Sequence, residues 1–237
     1  FSAEYSGRPL DYYRNLRVTN PSNYLYFYDF GDYQIIGASP ESLVSVKQGQ
    51  VTTNPIAGTR PRGKDEREDK ALAEELLADE KEVAEHRMLV DLGRNDIGKI
   101  AQNNSVEVTK YMEVEYFRYV MHLTSVVRGQ LLPQLTAMDA LKSTLPAGTV
   151  SGAPKIRAMK RIYELEQEKR GVYAGAIGYL SATGDMDFAI AIRTMILKNG
   201  RAYVQAGAGI VYDSIPTNEY QETINKAKSM TKIGEMQ

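Results

Sequence analysis

Two acidic pairs in this sequence are spaced like ligands on one face of a helix. Glu82 and Glu85 stand just before His86, and Glu219 and Glu222 have the same separation near the other end of the chain. Side chains three or four residues apart project from the same side of an α-helix. Two such pairs could hold a divalent cation such as Mg²⁺, which takes oxygen ligands and is seldom bound by one helix alone. A solvated, charged helix face is the alternative interpretation of this spacing.

Three loops combine glycine with other small residues: residues 55–63 (PIAGTRPRG), 146–155 (PAGTVSGAPK) and 205–211 (QAGAGIV). Glycine lets backbone N–H groups approach an anion closely, although tight turns also need it. None of the loops has the spacing of a phosphate-binding or dinucleotide-binding loop. We therefore expect a carboxylate ligand rather than a nucleotide, with the first loop as an anion-binding turn.

Two further side chains have ordinary structural interpretations when taken singly. His122 alternates with Val120 and Thr124 along a strand-like segment, which is typical of a histidine satisfied in the core or at its rim. Glu41, between two strand-like segments, has the position of a turn carboxylate. Their chemistry depends on which other groups the fold brings to them.

The composition favours a protein that acts on a small molecule. The 237 residues carry 29 basic and 30 acidic side chains, interspersed and summing to a net charge of −1, so nothing indicates binding to nucleic acid or to an anionic membrane. Cysteine is absent, so a metal would need carboxylates or the two histidines as ligands. No signal sequence or membrane span is indicated, and we expect a cytoplasmic protein. Because the sequence opens at Phe1, we expect a fragment or a processed chain.

Strand-like and helix-like segments come in blocks, which is typical of an α+β fold. The first four strand-like segments predict one antiparallel meander. An Ala-, Leu- and Glu-rich segment from Lys64 predicts one long helix or two in sequence. The remaining predicted strands are residues 105–111, 119–129, 174–182, 187–197 and 201–211, and the remaining predicted helices are residues 137–143, a helix opened by Pro154, and one beginning near Pro216.

Nine segments in this order resemble the chorismate-binding enzymes, and among them most closely the large subunits (component I) of anthranilate synthase. The segments are ASPESL, PIAGTRPRG, EVAEHRMLVDLGRNDIG, HLTSVVRG, PAGTVSGAPK, YAGAIGY, AIAIRT, QAGAGIVYDS and NEYQETINKA. The resemblance implies two packed antiparallel sheets with flanking helices, in a catalytic domain covering residues 1–237. It also implies that these residues are the C-terminal portion of a longer chain, whose first part would complete the sheet and a tryptophan site.

The resemblance implies a Mg²⁺-dependent reaction in which chorismate loses its 4-hydroxyl group, a nucleophile adds at C2, and pyruvate is released. Glu41 would be the general acid, and His122 would act near the ring and the elimination of pyruvate. Glu85 and Glu222 would ligate Mg²⁺, with Glu82 and Glu219 behind them or bound through water, and His86 would orient these carboxylates. The implied substrate-binding residues are Gly58, Thr59, Thr149, Tyr173, Arg193, Gly207, Gly209 and Lys226.

The members of the family differ in the nucleophile that attacks chorismate. Ala57 stands where aminodeoxychorismate synthases typically have a nucleophilic lysine, so ammonia supplied by a glutamine amidotransferase subunit (anthranilate synthase component II) is favoured here. Salicylate and isochorismate synthases remain alternatives, as does a truncated fragment that binds a ligand or partner without catalysis. Tryptophan is the implied feedback inhibitor. Its site would include Asn20, Pro21, Ser22, Tyr24 and Leu25.

Overall fold

The computed structural model describes residues 1–231, which form two compact units. The first unit comprises residues 1–41, 149–177 and 189 onward, and the second comprises residues 42–148 and 178–188. In chain order the strands are β1 (Ser2–Glu4), β2 (Tyr24–Asp29), β3 (Tyr33–Ser39), β4 (Ser42–Lys47), β5 (Gln50–Thr53), β6 (Ile56–Pro61), β7 (Glu107–Tyr116), β8 (Val120–Gln130), β9 (Ala176–Leu180), β10 (Met186–Ile190), β11 (Thr194–Lys198) and β12 (Arg201–Val204). The helices are α1 (Pro9–Thr19), α2 (Glu66–Ala78), α3 (Glu80–Gly98), α4 (Ala137–Thr144), α5 (Gly148–Ser151), α6 (Lys155–Leu165) and α7 (Pro216–Thr231).

The first unit is built on a five-stranded sheet, in the order β1-β12-β11-β3-β2 over the described residues. Its core forms where apolar side chains from β3, β11 and β12 meet α1 and the end of α7. Tyr12 on α1 donates a hydrogen bond to the Met230 carbonyl at 2.6 Å, which ties the two helices together within this core. The fully buried members of the core include Leu16, Ile36 and Met230.

The second unit contains most of a seven-stranded sheet, in which β6, β8, β5, β4, β10 and β9 follow one another and β7 also pairs with β8. Helices α2 and α3 pack against β6 and β8. Asp79 separates the two helices, and its carboxylate caps α3 by accepting hydrogen bonds from the N–H groups of Lys81 and Glu82. The segment from Lys64 therefore forms two helices, and both strand blocks confirm the predicted α+β class with two antiparallel sheets.

The predicted single meander is wrong, because its four strands belong to two different sheets. Strands β2 and β3 pair in the five-stranded sheet, whereas β4 and β5 pair in the other. The chain changes sheet at Pro40 and Glu41. A second change of sheet divides the predicted strand 187–197 into β10 and β11, with Arg193 in the break at φ +48°.

Of the helices within residues 1–231, none combines the length and the apolar character that crossing a bilayer requires.

Candidate active site

Glu41 and Arg193 lie at the two points where the chain leaves one sheet for the other. The backbone holds both places firmly: the N–H of Ile190 donates to the Glu41 carbonyl at 3.0 Å, and the N–H of Ala38 donates to the Arg193 carbonyl at 3.1 Å. Ser39 is fully buried and its hydroxyl accepts from the Glu41 N–H at 3.4 Å. Strand β3 therefore ends in a fixed corner that presents the Glu41 side chain.

The surroundings of Glu41 suit a carboxyl group that gives up a proton near neutral pH. Burial raises its pKa from 4.5 to about 7, against the hydrogen bond from the Thr149 hydroxyl and the charges of Arg193 and Lys226. The Thr149 hydroxyl donates to Glu41 Oε1 at 2.9 Å. Because a good general acid has a pKa near the working pH, this environment fits the predicted role.

Arg193 offers a cation close to that carboxyl group. Although its side chain keeps exposed surface, burial around the guanidinium lowers its pKa, while the charge of Glu41 raises it. An arginine stays charged despite such a shift, since its ordinary pKa exceeds 12. A non-glycine residue with positive φ is uncommon, and such strain often accompanies a functional position. The guanidinium can bind a carboxylate through two parallel hydrogen bonds.

Three other predicted site residues of the same unit, Tyr173, Gly207 and Lys226, lie together. A Cβ atom built on Gly207 would lie 2.6 Å from the Tyr173 hydroxyl, so the tyrosine occupies the space that a side chain would need. Lys226 Nζ donates to the Gly207 carbonyl at 3.2 Å. At Gly209, by contrast, a Cβ atom would meet open space. A hydroxyl, an ammonium and an open backbone are suitable donors for a carboxylate ligand.

In the second unit, His122 faces a β-bulge that contains Gly58 and Thr59. The register of β6 against β8 shifts between Ala57 and Thr59, and Gly58 has φ +74°. His122 Nδ1 lies 2.9 Å from the Gly58 carbonyl oxygen and 3.1 Å from Thr59 Oγ1. Because a carbonyl only accepts, we assign a ring proton to Nδ1.

The two arginines of residues 55–63 bind the protein's own carboxylates, so a ligand of this loop would be held by its backbone and its small residues. Arg62 forms a two-pronged ion pair with Asp69, which also accepts from the Gly63 N–H at 2.7 Å. Arg60 contacts Glu75, Asp79 and Glu82. Sequence reasoning missed these partners because they come from α2 and α3, and only the acidic character of that segment could have suggested them.

The predicted Mg²⁺ ligands have the right chemistry, but the described residues do not assemble a complete set. Glu82 and Glu85 share one face of α3, as predicted, and Glu219 and Glu222 lie on α7 in the other unit. Glu82 is paired with an arginine, and Glu222 lies 2.6 Å from Lys226 Nζ. Within residues 1–231, no group of three or more acidic, histidine or cysteine side chains is placed to hold a metal ion.

His86, the next residue of α3 after Glu85, is fully buried and in contact with β8. Its Nε2 lies 2.6 Å from the Ser125 hydroxyl oxygen, which also accepts from the Met112 N–H at 2.8 Å. His86 Nδ1 has no hydrogen-bond partner among residues 1–231. Burial lowers the pKa of His86 to about 4, so the ring is neutral and its contacts fix the orientation of α3.

The segment proposed for tryptophan lies at the start of β2. Tyr24 and Leu25 pair with Ser39 and Ala38 in β3, so they belong to the sheet. Asn20 ends α1, and its side-chain Nδ2 is buried without a hydrogen-bond partner in the described part of the chain. A buried amide donor without a partner is costly, and a ligand carboxylate or carbonyl could satisfy it.

Comparison with known proteins agrees with the resemblance. Anthranilate synthase component 1 of Lactococcus lactis is 63% identical over 99% of this chain and 51% of its own length, and that of Pseudomonas aeruginosa is 58% identical over 97% and 46%. The crystal structure of anthranilate synthase component I from Streptococcus pneumoniae shares 84% identity, covering 98% of this chain and 51% of that one, with a TM-score of 0.91. The menaquinone-specific isochorismate synthase of Escherichia coli shares 29% identity, covering 86% and 46%, with a TM-score of 0.77.

The chain thus spans about half the length of the curated relatives it matches. The family model described as chorismate binding enzyme matches residues 1–232, nearly the whole sequence. On that match, the chain belongs to the family of chorismate-binding enzymes.

Proposed function

We propose that this chain is the catalytic region of an anthranilate synthase large subunit, which converts chorismate and ammonia into anthranilate, pyruvate and water. The observation that carries the proposal is the name shared by the relatives at 53–63% identity and by the structure at 84% identity. The acid and cation groups of the first unit support it. We also propose that residues 1–237 act as one catalytic domain.

Glu41 is the proposed general acid of the first step. With a pKa of about 7 it holds a proton to give at neutral pH, and the 4-hydroxyl of chorismate then leaves as water while ammonia adds at C2. Removal of the C2 proton forms the aromatic ring as the ether C–O bond breaks and the side chain leaves as pyruvate. His122 is the proposed group at this second step, because an imidazole can take up and give back a proton.

The enolpyruvyl carboxylate is the proposed ligand of the cationic groups near Glu41. Arg193 supplies a planar fork of donors, and Lys226 supplies a compact charge beside the Gly207 carbonyl. The Tyr173 hydroxyl closes this side of the site. Since Lys226 also contacts Glu222, substrate binding would compete with that ion pair.

Mg²⁺ is the proposed cofactor, with Glu85 and Glu222 as its direct ligands and Glu82 and Glu219 in supporting positions. When bound, the ion would neutralise the ring carboxylate of chorismate. The oxygen donors match the preference of Mg²⁺, and this match of donor chemistry is the support that the described residues give.

Ala57 supports ammonia as the nucleophile. It lies at the β-bulge beside Gly58, and its methyl group cannot attack carbon. A glutamine amidotransferase subunit is the proposed source of ammonia. The Asn20 amide at the end of α1, which has no partner among residues 1–231, supports tryptophan as the proposed inhibitor.

The decisive experiment incubates the full natural chain that carries this sequence with chorismate, Mg²⁺ and ammonium, and follows anthranilate by its fluorescence. We expect anthranilate and pyruvate in equal amounts. Isochorismate, salicylate or aminodeoxychorismate as the product would assign the chain to another branch of the family. Binding of chorismate without turnover would favour a non-catalytic binding role.

A further inference from the structure

Arg60 joins strand β6 to carboxylates on both sides of the junction between α2 and α3. Its Nε donates to Glu75 Oε1 at 2.9 Å, in the last turns of α2, and its Nη2 donates to Asp79 Oδ2 at 2.8 Å, at the junction. Its Nη1 lies 3.5 Å from Glu82 Oε1, in the first turn of α3. Nη1 also donates to the Thr59 carbonyl at 3.0 Å, which ties the guanidinium back to its own strand.

This contact set is more than a surface ion pair. The Arg60 side chain is 18% exposed, and all three nitrogens of its fork are used. Asp79 is at the same time the cap of α3, since its other carboxylate oxygen accepts from the N–H groups of Lys81 and Glu82. The start of α3 is therefore fixed to β6 through one carboxylate and one guanidinium.

Glu82 is held from a second side by the bulge of β6. A Cβ atom built on Gly58 would lie 3.3 Å from Glu82 Oε2, 3.1 Å from Leu76 and 3.3 Å from Leu123. The absence of a side chain at Gly58 lets the Glu82 carboxylate lie against the strand. The same bulge presents Thr59 to His122.

We propose that Arg60 is a positioning residue of the active site, which fixes Glu82 and the first turn of α3, with Glu85 one turn further on, against the bulge of β6. This inference rests on the proposed function, in which these carboxylates serve the Mg²⁺-dependent reaction. By pairing with Glu82, Arg60 fixes the position of that carboxylate, and Glu82 and Glu85 are the residues of α3 that would hold the ion. Lysine could not replace it, because one ammonium cannot form the same fork to three carboxylates.

Arg62 provides a matched control, because it lies two residues away and binds a different carboxylate. Its partner Asp69 is on α2, and Asp69 also accepts from the Gly63 N–H. Loss of either arginine removes an ion pair from the same loop. Only the loss of Arg60 should loosen the first turn of α3.

The test compares Arg60→Gln, Arg60→Lys and Arg62→Gln in the full natural chain. Hydrogen exchange of the amides at 81–83 should quicken about tenfold in both Arg60 variants and stay unchanged in Arg62→Gln, whose effect should appear at Gly63 and Asp69. The Mg²⁺ concentration for half-maximal anthranilate formation should rise about tenfold in both Arg60 variants, the usual loss when support of a metal ligand is removed. Calorimetric titration with Mg²⁺ alone should show the same weakening.

Equal exchange at 81–83 in Arg60→Gln and Arg62→Gln, or an equal Mg²⁺ dependence, would overturn the inference. If Arg60→Gln does not fold, Arg60→Lys carries the comparison, and wild-type behaviour of that variant would also overturn it. If the wild-type chain makes no anthranilate, the proposed function fails. The exchange experiment then still decides whether Arg60 positions α3.

Discussion

Replacing Thr149 by valine should move the pH dependence of catalysis upward. The Thr149 hydroxyl donates to Glu41 Oε1 at 2.9 Å and so stabilises the ionised form, which lowers the pKa. Valine has nearly the same shape but no donor. A hydrogen bond to a charged group is worth roughly 1.5–3 kcal/mol. Because Thr149 is exposed, water can replace part of this hydrogen bond in the variant. We therefore expect the ionised form of Glu41 to lose about 1.4 kcal/mol of stabilisation or less. One pKa unit corresponds to about 1.36 kcal/mol, so the pKa of Glu41 should rise by up to about one unit.

The assay is the pH profile of kcat/KM for anthranilate formation, which reports the free enzyme. A general acid must be protonated, so activity falls as the pH rises through its pKa. The basic limb should therefore lie near pH 7 in the wild type, which is the value about which Glu41 titrates, and at higher pH in Thr149→Val. Thr149→Ser keeps the donor and should keep the limb in place. This reasoning is refuted if the basic limb of the Thr149→Val profile stays at its wild-type pH or moves to lower pH, whatever happens to KM.

Three further predictions concern groups around the same unit. Glu41→Gln should bind chorismate but lose turnover. Because the folded-state pKa of Glu41 is raised from 4.5 to about 7, the wild type loses stability as the pH rises through that range. Denaturant unfolding should therefore show the stability of the variant rising relative to the wild type by up to about 3 kcal/mol between pH 5 and pH 8. A gain that does not depend on pH would contradict it. Gly207→Ala should raise the KM for chorismate about tenfold, because its Cβ would lie 2.6 Å from the Tyr173 hydroxyl and displace the ring; an unchanged KM would show that the ring moves freely. Gly37→Ala would place a Cβ 2.2 Å from the Tyr26 ring and should lower the free energy of unfolding by about 1–3 kcal/mol; a neutral effect would mean that β2 shifts without cost.

The sequence was sufficient to predict most segments but not how they are distributed between sheets. Alternation identifies a strand, yet it carries no information on which partner the strand pairs with. The four predicted strands of the meander are strands, and the error lies in their pairing. The break at Arg193 was missed because the run from 187 to 197 is continuously strand-like and contains no glycine or proline to mark a positive φ.

The candidate site was predicted from motifs rather than from physics alone. The charge of Lys226 and the acid at Glu41 could be read from their types, but the pKa of Glu41 depends on burial and on Thr149, which lies more than 100 residues away along the chain. The ion pairs of the two arginines in residues 55–63 could not be predicted for the same reason. Their partners on α2 and α3 follow them in sequence, but only the packing of those helices on β6 brings the carboxylates to them.

The pairing of β3 with β11 fixes the distance between two residues of the candidate site, Glu41 and Arg193. Gly37 stands opposite Thr194, and the next step along each strand brings Ala38 to the Arg193 carbonyl, three residues before Glu41. Each residue of a strand spans about 3.3 Å, so a slip of one residue would move the guanidinium relative to the acid by more than a hydrogen bond tolerates. Interior residues of β3 and β11 would thus matter to the proposed catalysis as well as to stability. A variant that keeps a folded core but changes the register of β3 against β11 should therefore be inactive.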